Sequence, residues 1–382
     1  VTPDTPPLQK NPVFLYFQDH FQKPNEFKAD IAVDITSVFD QKMDGLDAHT
    51  SQFYEWLPWT EGKLAEVPKN EKEKRAFLIK NWSRPISPKV RESLVKWYGS
   101  KKAMTAVHAE AFEICEYGKQ PTDDCDSKFG GTAALYAKLG HKVKFLALTN
   151  GDAGHQNMGG GVLGKRRREE AKKAGEVLGV EYDVLDNHDA ELIPTLNVRH
   201  RVIRKIREWD ADIVLGLRPN DYHPDHRNAG IVVQDAAYLV IVPNVTPDTP
   251  PLKKNPIFLY MQDGFQKPYP FSKDIAVVID DVIDQKQRAF AEHESQVFEW
   301  MPWTMGMDEN DIPKGKEERL AWMKNVYLKE TKLDQSGVDA VKKWYPKIDI
   351  SKVKNVEFFE ICEYGKQPTD EEIKYFFPML KQ

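Results

Sequence analysis

Two hydrophobic patterns alternate through the middle of the chain. Short apolar runs, at Lys142-Val-Lys-Phe-Leu-Ala-Leu-Thr-Asn150, Val180-Glu-Tyr-Asp-Val-Leu185, Ala211-Asp-Ile-Val-Leu-Gly-Leu217 and Tyr238-Leu-Val-Ile-Val242, have the length and β-branched content of strands. Between them, residues 127–139, 166–178, 192–209 and 228–237 space their apolar positions as helices do, and Gly179 stands where a helix end needs it. Strand-helix-strand units of this length place strands parallel with helices on both faces. The pattern therefore predicts an α/β fold, a Rossmann-like three-layer α/β/α sandwich with a mostly parallel sheet. In such sheets ligands gather at the carboxyl ends of the strands, which directs attention to the loops after Leu148, Leu185 and Leu217.

The flanking segments follow a different order and repeat one another. Residues 1–60 and 245–304 align without a gap, with 38 of 60 positions identical, and Phe112-Glu-Ile-Cys-Glu-Tyr-Gly-Lys-Gln-Pro-Thr-Asp123 recurs at Phe359–Asp370 after a net insertion of three residues. Each copy begins with two short strand-like runs, at 12–17 and 31–35 and again at 256–261 and 275–279. Helical spacing follows at 282–300 and 317–327. Two copies flanking a different block cannot form a solenoid, whose units stack on like neighbours. The expected organisation is a duplicated segment at 1–122, an α/β core at 123–244 and a C-terminal part at 245–382 that completes one module of roughly 250 residues.

Composition narrows the function classes. With 41% hydrophobic and 30% charged residues the chain reads as an ordinary globular protein, and no apolar run approaches the length of a membrane span. A net charge of -5 supplies no field for a polyanion, so neither nucleic acid nor membrane is an expected partner, and homo-oligomerisation is left open. The start at Val1-Thr-Pro-Asp-Thr-Pro-Pro carries no basic stretch ahead of an apolar run, so no targeting signal is expected there and the compartment is open. Three scattered cysteines, Cys115, Cys125 and Cys362, make neither a disulfide framework nor a Cys-x-x-Cys pair.

Three loops carry candidate chemistry. Arg218-Pro-Asn-Asp-Tyr-His-Pro-Asp-His-Arg227 sets His223 and His226 three apart at a helix entrance, where a neutral imidazole can bind zinc and a protonated one can donate. The bland alternative is an N-cap at Asp225 with solvated histidines. Asp123-Asp124-Cys-Asp126 precedes a helix and reads either as capping carboxylates or as a base beside a metal ligand. Thr149-Asn-Gly-Asp-Ala-Gly-His155 ends a strand and is followed by Gly159-Gly-Gly161, with no P-loop lysine after it. The tryptophans of Val297-Phe-Glu-Trp-Met-Pro-Trp303 and its copy at 53–59 suit core packing or, alternatively, a sugar platform.

Together these motifs resemble the PIG-L/LmbE family of zinc-dependent N-acetylglucosaminyl deacetylases. The resemblance runs from residue 123 to about 304 and rests on His223-Pro-Asp-His226, Arg167-x-x-Glu170-Ala-x-x-Ala-x-x-x-Leu-Gly-Val180, Thr149-Asn-Gly-Asp152 and His293-Glu-Ser-Gln296, which recurs as His49-Thr-Ser-Gln52. It implies a zinc cofactor, an acetylated amino-sugar or related amide as substrate, Asp123 as general base and Asp124 with His226 as metal ligands. His223 would stabilise the oxyanion or protonate the amine, and Arg167, Asp152, His155 and His293 would contact substrate. One departure is plain: Pro121 and Thr122 stand where the family's motif has His and Pro, so a zinc ligand and the first strand are missing. The resemblance leaves two ways to repair this, residues 112–117 taking the strand's place and His155 approaching the metal. It also leaves an alternative to catalysis, an inactive binding or vestigial protein of the same fold.

Overall fold

The computed structural model describes residues 11–23, 25–117, 125–327 and 333–381. Contacts divide the chain into Pro12–Gly118 and a unit containing Lys119–Gln382. In the first, β1 (Leu15–Phe17) and β2 (Ile31–Asp34) lead to α1 (Phe39–Asp47), a π-helical turn at Ser51–Trp56, α2 (Leu57–Thr60), α3 (Glu71–Trp82), α4 (Pro88–Tyr98) and α5 (Ser100–Thr105), and β3 (Ala109–Ile114) closes it. Helix α4 starts where Ser87 accepts the Val90 N–H and Pro88 supplies a preset φ; its Val90 and Leu94 then bury against Ala32, Ala103 and Ala111. Strand β3 lies between β1 and β2, antiparallel to both, with Leu15 opposite Ile114 and Ile31 opposite Phe112. The 112–117 run therefore does not replace a missing core strand. Residues 109–114 already hold neighbours on both edges in a sheet of their own.

The second unit runs α6 (Cys125–Lys138), β4 (Lys144–Thr149), α7 (Gly160–Leu178), β5 (Glu181–Asn187), α8 (Leu196–Trp209), β6 (Ile213–Gly216) and α9 (Pro224–Leu239). It continues with β7 (Ile257–Met261), β8 (Ile275–Val278), α10 (Ile283–Ala291), a π-helical turn at Ser295–Trp300, α11 (Met301–Thr304), α12 (Lys316–Tyr327), α13 (Gln335–Trp344), β9 (Val356–Ile361) and α14 (Asp370–Phe376). The fold is mixed α/β. The expectation of one mostly parallel sheet needs correction: β4 pairs with β5 and β6 with β7 in parallel, but β9 is antiparallel to both β7 and β8. Among the described residues the strands form separate sheets, β4-β5 and β6-β7-β9-β8.

A second correction concerns residues 238–242, expected as a strand. Helix α9 continues to Leu239 and a turn follows, so the partner of β6 is β7 instead. The cause is long-range: the buried guanidinium of Arg207 donates to the carbonyls of Leu239 (3.0 Å), Val240 (2.9 Å) and Val242 (2.7 Å), which pins this apolar segment outside any ladder.

The cores explain what the elements bury. Phe129 of α6 packs between Phe145 of β4 and Phe359 of β9, each at 5.8 Å between ring centroids, beside Ile257, Leu259 and Trp344. A second cluster joins Val202 and Ile203 of α8 to Val232 and Ala236 of α9, Phe258 and Tyr260. In the 297–303 segment Val297, Phe298 and Met301 fill a third core. The two tryptophans stay half-buried and stack on each other at 5.2 Å, so they are not the core residues the pattern favoured.

The aligned segments carry the same register in both units. Leu259 faces Ile361 and Ile275 faces Phe359, the counterparts of the Leu15–Ile114 and Ile31–Phe112 pairs. Even the thiol contacts coincide, with Cys115 Sγ and Cys362 Sγ each 3.1 Å from the hydroxyls of Tyr16 and Tyr260.

Candidate functional site

Strand β6 delivers the chain to the histidine loop, and Arg218 anchors its beginning. This buried guanidinium pairs with Asp263 and donates to the carbonyls of Tyr269 (2.9 Å) and Phe265 (3.0 Å). At the far end Pro224 opens α9, and the cap is His223, whose Nδ1 accepts the Asp225 N–H at 3.2 Å. An Nδ1 that accepts puts the proton of the neutral ring on Nε2, making it a donor. His226 has the opposite arrangement. Its Nδ1 donates to Asp221 Oδ1 at 3.0 Å, which leaves the Nε2 lone pair for a ligand. The two ring centroids are 4.8 Å apart.

Electrostatics follow from burial. Desolvation, and then the neighbouring His226, lowers the His223 imidazole below its usual value, so the ring is neutral near pH 7. Burial pushes the Asp221 carboxyl up, but hydrogen bonds from His226 and from the His223 backbone N–H outweigh this and hold it below the usual carboxylate range. Asp225 is not the N-cap. Its buried carboxylate accepts the N–H groups of Ala190 (2.7 Å) and Leu192 (3.1 Å), tying the loop after β5 to the start of α9; desolvation nevertheless raises its pKa.

Gly230 makes the close approach of α9 feasible. A Cβ there would lie 2.6 Å from the Leu217 carbonyl oxygen and 3.1 Å from the Arg218 carbonyl carbon, backbone atoms that cannot rotate away. Gly230→Ala is expected to cost about 1–3 kcal/mol through overpacking. Calorimetric unfolding of the variant at the wild-type midpoint would show that the helix tolerates the methyl group.

Beside this loop lies a cleft of about 360 Å³ lined by Asp152, His155, His188, Asp189, Glu191 and the Gly159–Gly160 backbone. Asp152 is buried and organises it, accepting from His188 Nδ1 (2.7 Å), the Asp189 N–H (3.0 Å) and Asn150 Nδ2 (3.2 Å). Burial raises its carboxyl, but these hydrogen bonds prevail and lower it, while the Asp152 carboxylate raises the exposed His188. Asp189 also acts on the charge of His223, so cleft and histidine loop share one electrostatic field.

Helix α7 contributes the arginines. Arg167 donates to Gln296 Oε1 and to the Gly154 carbonyl (2.6 Å), while Arg166 makes a two-point contact with Glu299 at 2.8 and 2.5 Å. His155 does not turn toward the histidine pair. Its Nδ1 accepts the Asn157 N–H at 3.1 Å and its Nε2 meets Glu299 at 2.8 Å, so neither nitrogen is open to a metal.

The structure thus gathers Asp152, His155 and Arg167 around one cleft edge, with His223 and His226 on the adjoining loop. His293 is elsewhere: it is buried against Tyr182 at the amino end of β5, with ring centroids 6.1 Å apart. Asp123 and Asp124 lie outside the described residues. Among the described residues no group of three His, Cys, Asp or Glu side chains could hold a metal, and no helix is long and apolar enough to cross a membrane. His188, Asp189 and Asp221 were not singled out from the sequence. His188 and Asp189 follow β5 directly, at a strand end already marked for attention, and Asp221 sits inside the ten-residue histidine loop.

The family model described as PIG-L: GlcNAc-PI de-N-acetylase matches residues 122–237. Diacetylchitobiose deacetylase of Thermococcus kodakarensis is 35% identical over 189 residues, 47% of this chain and 70% of that protein. Among solved structures, N,N'-diacetylchitobiose deacetylase from Pyrococcus horikoshii aligns at 20% identity over 65% of this chain and 84% of that one, TM-score 0.47. GalB, the 4-carboxy-2-hydroxymuconate hydratase from Pseudomonas putida KT2440, aligns at 20% identity over 64% and 93%, TM-score 0.49. The extent and identity of the Thermococcus match, together with the family model over residues 122–237, place this chain in the PIG-L family.

Proposed function

We propose that the chain hydrolyses the acetamide of an N-acetylated amino sugar, releasing acetate and a free amine. The observation that carries this reading is the pair of differently oriented imidazoles beside a polar cleft, in a chain 35% identical over 189 residues to a diacetylchitobiose deacetylase. His226 suits a zinc ion, since a carboxylate on Nδ1 and an open Nε2 is the arrangement of metal-binding histidines. Asp124 would be its companion, and a zinc ion held there would supply positive charge to polarise water and the amide carbonyl. Asp123 takes the proton of the attacking water. His223 donates from Nε2 to the oxygen that becomes negative, at a position where a preorganised donor is worth most. Asp152, His188 and Asp189 offer the cleft's hydrogen-bonding groups to sugar hydroxyls.

With Pro121 where the resembled family has a histidine, zinc would be held by too few protein ligands for tight retention. The expected result is acetate release from N,N'-diacetylchitobiose or N-acetylglucosamine that rises with added zinc, and less than about half an equivalent of zinc after dialysis. Absence of acetate from both sugars with zinc in excess would overturn the reading in favour of a protein that binds without turnover.

A further inference from the structure

The two copies of the repeated segment share sequence and register but differ in what covers their first strand. In the second copy β7 is buried throughout, with Ile257, Phe258, Leu259, Tyr260 and Met261 between 0% and 6% exposed. Its outer edge is closed by β6, beginning with the Ile257 N–H on the Asp212 carbonyl at 3.0 Å. Strand β1 has β3 on one edge and, among the described residues, no strand on the other. Val13, Phe14, Leu15, Tyr16 and Phe17, with Phe21 nearby, are between 40% and 81% exposed.

The free edge has a definite chemistry. Phe14 O accepts from Cys115 N at 2.9 Å, so Phe14 and Tyr16 direct their backbone groups to β3, while those of Val13, Leu15 and Phe17 point outward. No residue from Pro12 to Gln18 is charged, and so the lysines and other charges that normally guard an edge strand are missing. Together these six residues, Tyr16 among them, expose roughly 700 Å², close to the roughly 800 Å² each partner buries in a standard interface.

We propose that β1 is a self-association surface, pairing antiparallel with β1 of a second copy of this chain. Among the described residues β6 of the same chain is paired with β7, whereas a second copy presents the same uncharged, unpaired edge of β1. Edge-to-edge pairing is self-complementary. With Leu15 opposite Leu15 of the second copy, Val13 falls opposite Phe17 and the outward N–H and C=O groups of both strands are satisfied across a two-fold axis.

Sedimentation velocity of the full chain between about 1 and 100 µM tests this, the range over which a weak interface of standard size assembles. A dimer is expected. Phe17→Lys and Leu15→Pro should each raise its dissociation constant at least about tenfold, since they bury a charge or remove an edge donor. Met104→Lys, at an exposed apolar residue of the same unit, should leave it unchanged. Circular dichroism checks folding, and Phe17→Lys, at an 81% exposed position, keeps the test valid if the proline variant unfolds. A chain that stays monomeric to 100 µM, leaving the edge to an α/β core of another polypeptide, would overturn the proposal. So would a dimer indifferent to both changes.

Discussion

His223→Gln is expected to lower the rate of acetate release by about 10²–10³ while leaving KM near the wild-type value, the signature of a donor that acts only when charge develops. The geometry sets the expectation. His223 caps α9 through Nδ1, so Nε2–H is held by the backbone rather than by a flexible rotamer, and burial keeps the ring neutral. Glutamine retains a donor but cannot reproduce a ring fixed by its own cap. The lowered pKa also carries a sign. Protonating Nδ1 would break the bond from the Asp225 N–H, so the acid limb of the rate profile assigned to this residue should lie below the ordinary value of 6.5. His226→Ala should behave differently, losing both activity and whatever zinc survives dialysis. Steady-state kinetics on N,N'-diacetylchitobiose, with metal analysis of each variant, separates the two roles; a His223→Gln enzyme with wild-type rate would remove the residue from the chemistry.

The largest effect on stability is expected from Arg207→Met. Besides Leu239, Val240 and Val242, the guanidinium donates to the carbonyls of Val245 (2.6 Å), Thr246 (3.1 Å) and Thr249 (2.9 Å) and to Thr246 Oγ1 (2.9 Å). One side chain thus joins the end of α9 to the start of the repeated segment, with Thr246 held at a φ of 47°. A methionine of similar length fills the space but leaves several buried carbonyls without donors, and a loss of about 3–5 kcal/mol should follow. For a unit of this size the midpoint would fall by about 6–20 °C. Arg204→Met makes the control. It removes a partly exposed ion pair to Asp248 at 2.8 Å and should change stability by no more than about 0.5 kcal/mol. Equal midpoints for the two variants in scanning calorimetry would refute the assignment of Arg207 as the clasp.

Much of the secondary structure was legible because its signals are local. The helix stop at Gly179, with its φ of 77°, and the strands at 144–149 and 181–187 follow from turn chemistry and short-range periodicity. The apolar run at 238–242 misled for the same reason. Its pattern is that of a strand, and only Arg207, more than thirty residues earlier in sequence, removes its carbonyls from any ladder. In the site, the histidine loop stood out by composition, whereas Asp221 and His188 were identified only when the fold showed that their partners were His226 and Asp152.

By itself the sequence determined the repeat, the α/β alternation and the crowding of ionisable groups at strand ends, because identity, period and composition are properties of neighbours along the chain. The tertiary structure decided which imidazole donates and which is left open, that His155 faces Glu299 rather than the histidine pair, and that His293 is packed against Tyr182. It also decided that one copy of a nearly identical strand is buried while the other is bare. Those outcomes depend on partners supplied by distant segments: β6 closes the edge of β7, and nothing among the described residues closes that of β1.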